Sequence, residues 1–234
     1  MRDAKDAKRI GKHDRFRRTE ETVDARPVFF IASEGKNTEP DYFENVLAGL
    51  YRNIRIVSLK EKNKKGAVRG NDPKKLKQRI QEKLRGPLKK SIAYEAWVVL
   101  DRDEKTWTIE QLNEVAMWIK AENSKENSAF HGMALSNPCF EFWLLLHFEE
   151  GKGALDNDKC ISRLKNRIPS YDKKLDASSV IKLFTEEAIK GAIKRSKAKN
   201  KSLCLNEDWP REPGHTTVHI LVQRILNAAG KIPR

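Results

Sequence analysis

Phe29-Phe30-Ile31-Ala32-Ser33-Glu34-Gly35-Lys36-Asn37-Thr38-Glu39-Pro40-Asp41-Tyr42-Phe43 is the stretch on which the fold turns. A short apolar run, the pattern of a buried strand, breaks at Glu34-Gly35 and gives way to a helix. Thr38 is the expected N-cap, and Asp41 three residues on completes a capping-box-like pair. Pro40 falls in the first turn, where its missing N–H costs nothing. Tyr42, Phe43, Val46, Leu47 and Leu50 then recur on one helical face. The pattern puts a carboxylate, Glu34, on a glycine-containing loop at the carboxyl end of a strand. Open α/β sheets bind their ligands at that edge.

A second stretch, Ala96-Trp97-Val98-Val99-Leu100-Asp101-Arg102-Asp103-Glu104, repeats the design: an apolar strand that ends in carboxylates. Asp101 and Asp103, spaced by one residue, can face the same hard divalent cation, which takes oxygen ligands. If the two strands are neighbours, Glu34 meets this pair. Outward from these anchors, strands are expected near residues 54–59 and 131–135, with helices over 38–50, 72–84 and 108–121. Strands alternating with helices imply a mostly parallel sheet covered on both faces. The expected fold class is therefore α/β, a four-stranded sheet flanked by helices, followed by a C-terminal helical extension. The boundaries expected are a basic N-terminal extension at 1–26, the α/β core at 27–150 and the helical extension at 151–234. Helices are expected there at 156–167, 178–197 and 216–229.

Between core and extension lies Ser136-Asn137-Pro138-Cys139-Phe140-Glu141-Phe142-Trp143-Leu144-Leu145-Leu146-His147-Phe148. Asn137 as N-cap with Pro138 at the first helical position predicts a helix start there. The helix is apolar on nearly every side and so is expected inside. A carboxylate in it, Glu141, is costly unless it is paired or bound to a metal. The plainer alternative for Glu141 is a helix-terminus carboxylate held by an arginine or by backbone amides. For His147 it is a core histidine bonded to backbone.

The chain has 234 residues and a net charge of +14, with a mean hydropathy of −0.71. That length supports one core. No apolar run is long enough to span a bilayer, and the first residues do not read as a secretory signal. Cys139, Cys160 and Cys204 fall in no metal-ligand spacing, so a reducing, cytoplasmic setting is expected. The positive charge is concentrated: residues 60–90 hold thirteen Lys/Arg against three acids, and residues 190–201 hold six and none. Such runs are either solvated faces or contacts to a polyanion. Lys36, Lys62, Lys64, Lys65, Arg69, Lys194, Arg195 and Lys197 are the candidates for holding nucleic-acid phosphates. Acidic strand ends in a basic surround point to metal-dependent phosphodiester hydrolysis. Carboxylates hold the ion, which acidifies a water and stabilises transition-state charge, and a further carboxylate moves the proton. No phosphate-binding P-loop and no Gly-x-Ser-x-Gly elbow is present.

The three quoted blocks, together with the Thr216-Thr217-Val218-His219 start of the last helix, resemble the RloB family over roughly residues 27–230. The resemblance implies a TOPRIM-like core and a metal-dependent nuclease of DNA or of RNA such as tRNA. It implies Glu34 as the acid/base carboxylate and Asp101 and Asp103 as ligands of Mg²⁺, with Mn²⁺ as the alternative. Glu141 is implied near the site, as a candidate to complete the catalytic shell. A prokaryotic anti-phage setting, an AAA/ABC-type ATPase partner and no membrane are also implied; the oligomeric state is open. In the departure from the fuller TOPRIM pattern, Glu104-Lys105 follows the aspartates where a glycine-bearing turn is usual. The rival function is a catalytically silent module that uses the same acidic pocket and basic rim to hold nucleic acid or a partner.

Overall fold

The computed structural model describes residues 26–60, 71–86, 93–102, 107–126, 129–175, 178–201 and 212–230. Four parallel strands form the sheet: β1 (Val28–Ser33), β2 (Arg55–Ser58), β3 (Tyr94–Asp101) and β4 (Phe130–Asn137). A two-residue strand, β5 (His215–Thr216), adds antiparallel to β4, giving the order β2-β1-β3-β4-β5. The chain runs from β1 out to β2, then crosses back past β1 to β3. The strand order therefore reverses between β1 and β3, and ligand crevices open at such a point beyond the strands' carboxyl ends.

Side chains alternate across the sheet because successive Cβ atoms in a strand point to opposite faces. Phe30, Ala32, Ala96, Val98 and Leu100 face a thinner layer. It is made by α3 (Pro73–Arg85) and α4 (Ile109–Asn123), through Leu76, Ile80, Leu112 and Val115. Phe29, Ile31, Trp97 and Val99 face a thicker layer. That layer contains α1 (Thr38–Asp41), the π-helix π1 (Tyr42–Leu47), α2 (Ala48–Leu50) and α5 (Phe140–Leu145). It continues through α6 (Asn157–Arg167), α7 (Ser178–Ile181), α8 (Glu186–Lys199) and α9 (Val218–Gly230). Sheet and C-terminal helices thus share one core. Asp101 has the parity of Trp97 and Val99, which turns its carboxylate toward the layer holding α1 and α5.

Local signals act as expected at several helix starts. Asp72 accepts from the Lys75 N–H and Pro73 stands at N1 of α3. Thr108 and Gln111 form a reciprocal capping box on α4. Four expectations are corrected. Thr38 and Asp41 do not cap each other: Asn37 is the residue before α1, and no side chain caps it. The Thr38 hydroxyl donates to the Lys173 carbonyl at 2.9 Å and Asp41 accepts from the Leu175 N–H at 3.1 Å. A tertiary tether has displaced the local one. Asn137 ends β4 rather than capping a helix; Cys139, in extended conformation, precedes α5. His215 and Thr216 pair with β4, because Ser136 and Thr216 also bond through their hydroxyls at 2.9 Å, and α9 begins only at Val218. Leu50, expected inside, is 45% exposed at the end of α2.

Gly132 on β4 stands opposite Trp97 on β3, and a Cβ there would lie 2.5 Å from the indole ring. The large Trp97 is fully buried and has no room to withdraw. Gly132→Ala is expected to destabilise the chain by about 1–3 kcal/mol, the cost of overpacking. Urea unfolding measures it, and an unchanged midpoint would mean the ring is not locked in place.

Candidate functional site

Adjacent parallel strands bring Glu34 and Asp101 together, as Ser33 is paired with Val99 and the Glu34 N–H continues the ladder to the Val99 carbonyl. Glu34 Oε2 accepts from the Asp101 backbone N–H at 3.3 Å and from the Trp107 indole N–H at 3.0 Å. Two donors from the β3 side thus fix the orientation of a carboxylate carried by β1.

Two further acids close on this pair. Glu39, on the first turn of α1, is only 4% exposed and accepts from the Gly35 N–H at 2.9 Å. A Cβ at position 35 would overlap the Glu39 carboxylate, so any larger residue there would have to displace that side chain. Glu141, on the first turn of α5, is 7% exposed and accepts from the Tyr171 hydroxyl at 2.9 Å. Burial pushes Glu39 up to about 7, against an ordinary 4.5, and the neighbouring charges of Glu141 and Glu34 push the same way. Burial likewise holds Asp101 well above the usual carboxylate range, reinforced by Glu39, Glu34 and Glu141 and opposed by a bond from the Phe140 N–H. Asp101 Oδ1 is withdrawn from solvent and accepts no hydrogen bond from the described residues. A buried acceptor left unmade is costly, about 1–3 kcal/mol. Such a cost is expected where a ligand supplies the missing partner.

The donor set is made of carboxylate oxygens, which suits a hard divalent cation such as Mg²⁺. Among the described residues, no three His, Cys, Asp or Glu side chains converge closely enough to hold an ion as they stand. Asp103, the expected second aspartate, lies outside the described residues, as do Lys62, Lys64, Lys65 and Arg69.

The remaining expected residues are distributed unevenly. Lys36 is exposed on the loop beside Glu34. Lys194 and Lys197 are exposed on α8. Arg195, expected at a phosphate, is engaged elsewhere: its guanidinium donates to the Leu146 carbonyl at 2.9 Å and to Glu150 at 3.2 Å. It thereby satisfies the backbone that emerges from the carboxyl end of α5. His147 is a core histidine, ringed by Tyr42, Trp143 and Phe184. Its Nδ1 faces the Trp143 and Leu144 carbonyls and its Nε2 lies 3.0 Å from the Tyr42 hydroxyl. Burial holds its pKa down to about 3.

Sequence reading missed Glu39, Trp107 and Tyr171. Glu39 had a signal: an acid at the first turn of a helix, five residues after Glu34 with Gly35 between. Tyr171 had none, since it reaches Glu141 from an irregular segment thirty residues downstream. That segment is strapped over α1 by the Lys173 carbonyl and the Leu175 N–H, with Lys173 in the left-handed region at φ 54°.

A family model described as RloB-like protein matches residues 29–225, most of the chain. No curated protein and no solved structure matches it.

Two outcomes are expected here. Between pH 4.5 and about 7 the folded chain keeps a proton on Glu39 that the unfolded chain has released. The contribution of this group to stability therefore falls as pH rises through that window. His147 and His219, both held down by burial, run the opposite way below pH 6.5. They cancel when a variant is compared with the parent. In chelator, Glu39→Gln should gain stability relative to the parent between pH 5 and pH 8, by on the order of 3 kcal/mol at most. A pH-independent difference in melting temperature would contradict the raised pKa. Arg195→Ala is expected to cost about 1.5–3 kcal/mol in urea unfolding, as a charged hydrogen-bond donor is lost. A variant of unchanged stability with weakened nucleic-acid binding would return Arg195 to the phosphate-binding set.

Proposed function

The chain belongs to the RloB-like protein family, and on that premise we propose that it is a metal-dependent nuclease acting on DNA or RNA. One observation carries the reading. At the strand-order reversal Glu34 and Glu141 push the pKa values of Glu39 and Asp101 upward, and Asp101 Oδ1 is buried there without a partner among the described residues. Like charges gathered out of water raise one another's pKa, and such a cluster in a cleft is a candidate functional site.

Glu34 and Asp101, with Asp103, would hold Mg²⁺ or Mn²⁺, which when bound supplies charge neutralisation and an acidified water. Glu34, oriented through Oε2, acts as general base or acid. Glu39 and Glu141 complete the acidic surround, and Tyr171 fixes Glu141 by donating to Oε1. Gly35 brings the loop backbone against Glu39, which keeps Glu34 and Glu39 on opposite ends of one short turn. The setting proposed is prokaryotic anti-phage defence, with an AAA/ABC-type ATPase as the partner that gates cutting. No described helix is long and apolar enough to cross a membrane.

The rival is a silent module that binds nucleic acid or a partner through the same edge. What favours it is that no three described side chains stand in metal-holding geometry. The raised pKa values also let the cluster stay partly protonated, and so less charged, without an ion.

The test is a cleavage assay on plasmid, single-stranded DNA and total tRNA, with Mg²⁺, Mn²⁺ or chelator. The expected result is metal-dependent cutting that falls at least about 100-fold in Glu34→Ala, the scale of a lost general acid or base. Asp101→Ala should lose it as well, with the fold checked by circular dichroism. Undiminished cutting in Asp101→Ala removes the metal assignment. Absence of cutting under every ion, with the ATPase partner added, favours the silent module.

A further inference from the structure

On the other side of the same loop the charge changes sign. Ser33, Gly35, Lys36, Pro40, Leu59, Lys60, Asn71 and Arg79 surround a cavity of about 290 Å³ at the carboxyl ends of β1 and β2. Among the described residues, three cations and no acid line it. The acids Glu34, Glu39, Asp101 and Glu141 gather instead on the β3 side of β1. The turn at residues 34–36 thus divides an anionic crevice from a cationic one.

The cationic crevice is built rather than diffuse. Arg79 projects from the middle of α3 and is only 7% exposed, which is rare for arginine unless its head is held. Asn71, just before α3, accepts from Arg79 Nη2 at 2.8 Å and so sets the plane of the guanidinium. Lys60 follows β2 and is drawn to Glu44 at 3.3 Å; Glu44 in turn accepts from the Ser58 N–H. Lys36 enters from the loop beside Glu34. The volume sits at the small end of ligand pockets, which run from about 300 Å³ upward. A planar arginine fork flanked by two lysines matches the oxygens of a phosphate group.

We infer that this crevice is a phosphate subsite, holding one nucleotide phosphate beside the acidic cluster through Lys36, Lys60 and Arg79. Neighbouring strands lie about 4.8 Å apart. The crevice between β1 and β2 is thus about one strand spacing from the crevice between β1 and β3. That offset suits consecutive phosphates of one single strand lying across the sheet edge. The cations would anchor one phosphate while its neighbour is presented to Glu34 and Asp101. The segregation has a physical reason: the anchoring cations sit close enough to steer a polyanion, and the β1 loop separates them from the acids they would otherwise neutralise.

The subsite deepens the nuclease reading and rests on it for the nucleic-acid identity of the ligand. Its test therefore reads binding and not cutting. A fluorescent single-stranded 12-mer is titrated onto the full chain in chelator, over a range of salt concentrations. The variants are Lys36→Ala/Lys60→Ala, Arg79→Gln and, as control, Lys125→Ala at the opposite edge of the sheet. Thermal melting is recorded for each, and the lysine pair keeps the test open if the buried Arg79→Gln fails to fold. The expected result is at least a tenfold loss for the lysine pair and a salt slope shallower by about 0.7, the value of one single-strand phosphate contact. Lys125→Ala should match the parent. An unchanged slope in the lysine pair, or an equal loss in Lys125→Ala, overturns the subsite. AMP and inorganic phosphate are run as competitors. Displacement at concentrations near the 12-mer's own affinity assigns the crevice to a free nucleotide phosphate. Failure to displace assigns it to the strand. A chain that binds in this way yet never cuts loses the nuclease reading and keeps the subsite.

Discussion

Four carboxylates share one edge of the sheet, and the rest of the molecule is arranged around the cost of keeping them there. Two unit charges 4 Å apart repel by about 4 kcal/mol at an effective dielectric of 20. One ordinary hydrogen bond returns only about 1 kcal/mol. Burial and that repulsion together favour the protonated forms of Glu39 and Asp101. The chain supplies several: the Gly35 and Phe140 N–H groups, the Asp101 N–H, the Trp107 indole and the Tyr171 hydroxyl. The residual strain appears as raised pKa values at Glu39 and Asp101 and as the bare Asp101 Oδ1.

Holding those acids in place demands a stiff frame. Trp97 and Val99 lock the strand that carries Asp101 into the thicker core. On α5 the four residues after Glu141, Phe142 through Leu145, are fully buried, so it has no freedom to swing the carboxylate away. Glu39 is followed at once by π1, and π-helical turns recur at functional sites, where they re-aim side chains without ending the helix. Tyr42 at the start of π1 meets His147 just beyond α5, which pins the two acid-bearing helices to each other. Farther along the sheet, Arg224 of α9 makes a two-pronged pair with Glu95 at 2.8 Å and stacks over Phe130. The C-terminal helices are thereby part of the frame. Their contribution to the site is made through Tyr171 and through the strap from residue 171 to 175.

How much of this was legible in the sequence depended on the range of the interaction. Period-two apolar runs, the caps Asp72 and Thr108, and acids at two strand ends are local patterns, repeated in the backbone as expected. The parallel four-stranded core followed from them, and so did the meeting of Glu34 with Asp101, since strands that alternate with helices pair in parallel. The core role of His147 was readable as well, because a histidine in an otherwise apolar helix needs only a carbonyl to be satisfied. Glu39 stood in plain view within the first quoted stretch. It was passed over because an acid in the first turn of a helix is ordinary, and only its burial marks it.

What escaped the sequence arose where a distant partner outcompeted a near one. Thr38 and Asp41 carry the spacing of a local cap, yet they bond to residues some 135 positions away, because packing of the thicker layer brings that backbone within reach. Arg195 has the composition of a phosphate ligand and closes the end of α5 instead. Periodicity and capping are properties of neighbouring residues, and so they fix strands, helices and the edge where acids emerge. Protonation, by contrast, depends on what surrounds a carboxylate in three dimensions. The same holds for the choice of Tyr171 as a donor and for the parting of acids from cations by one loop, all of which were set only when the layers closed.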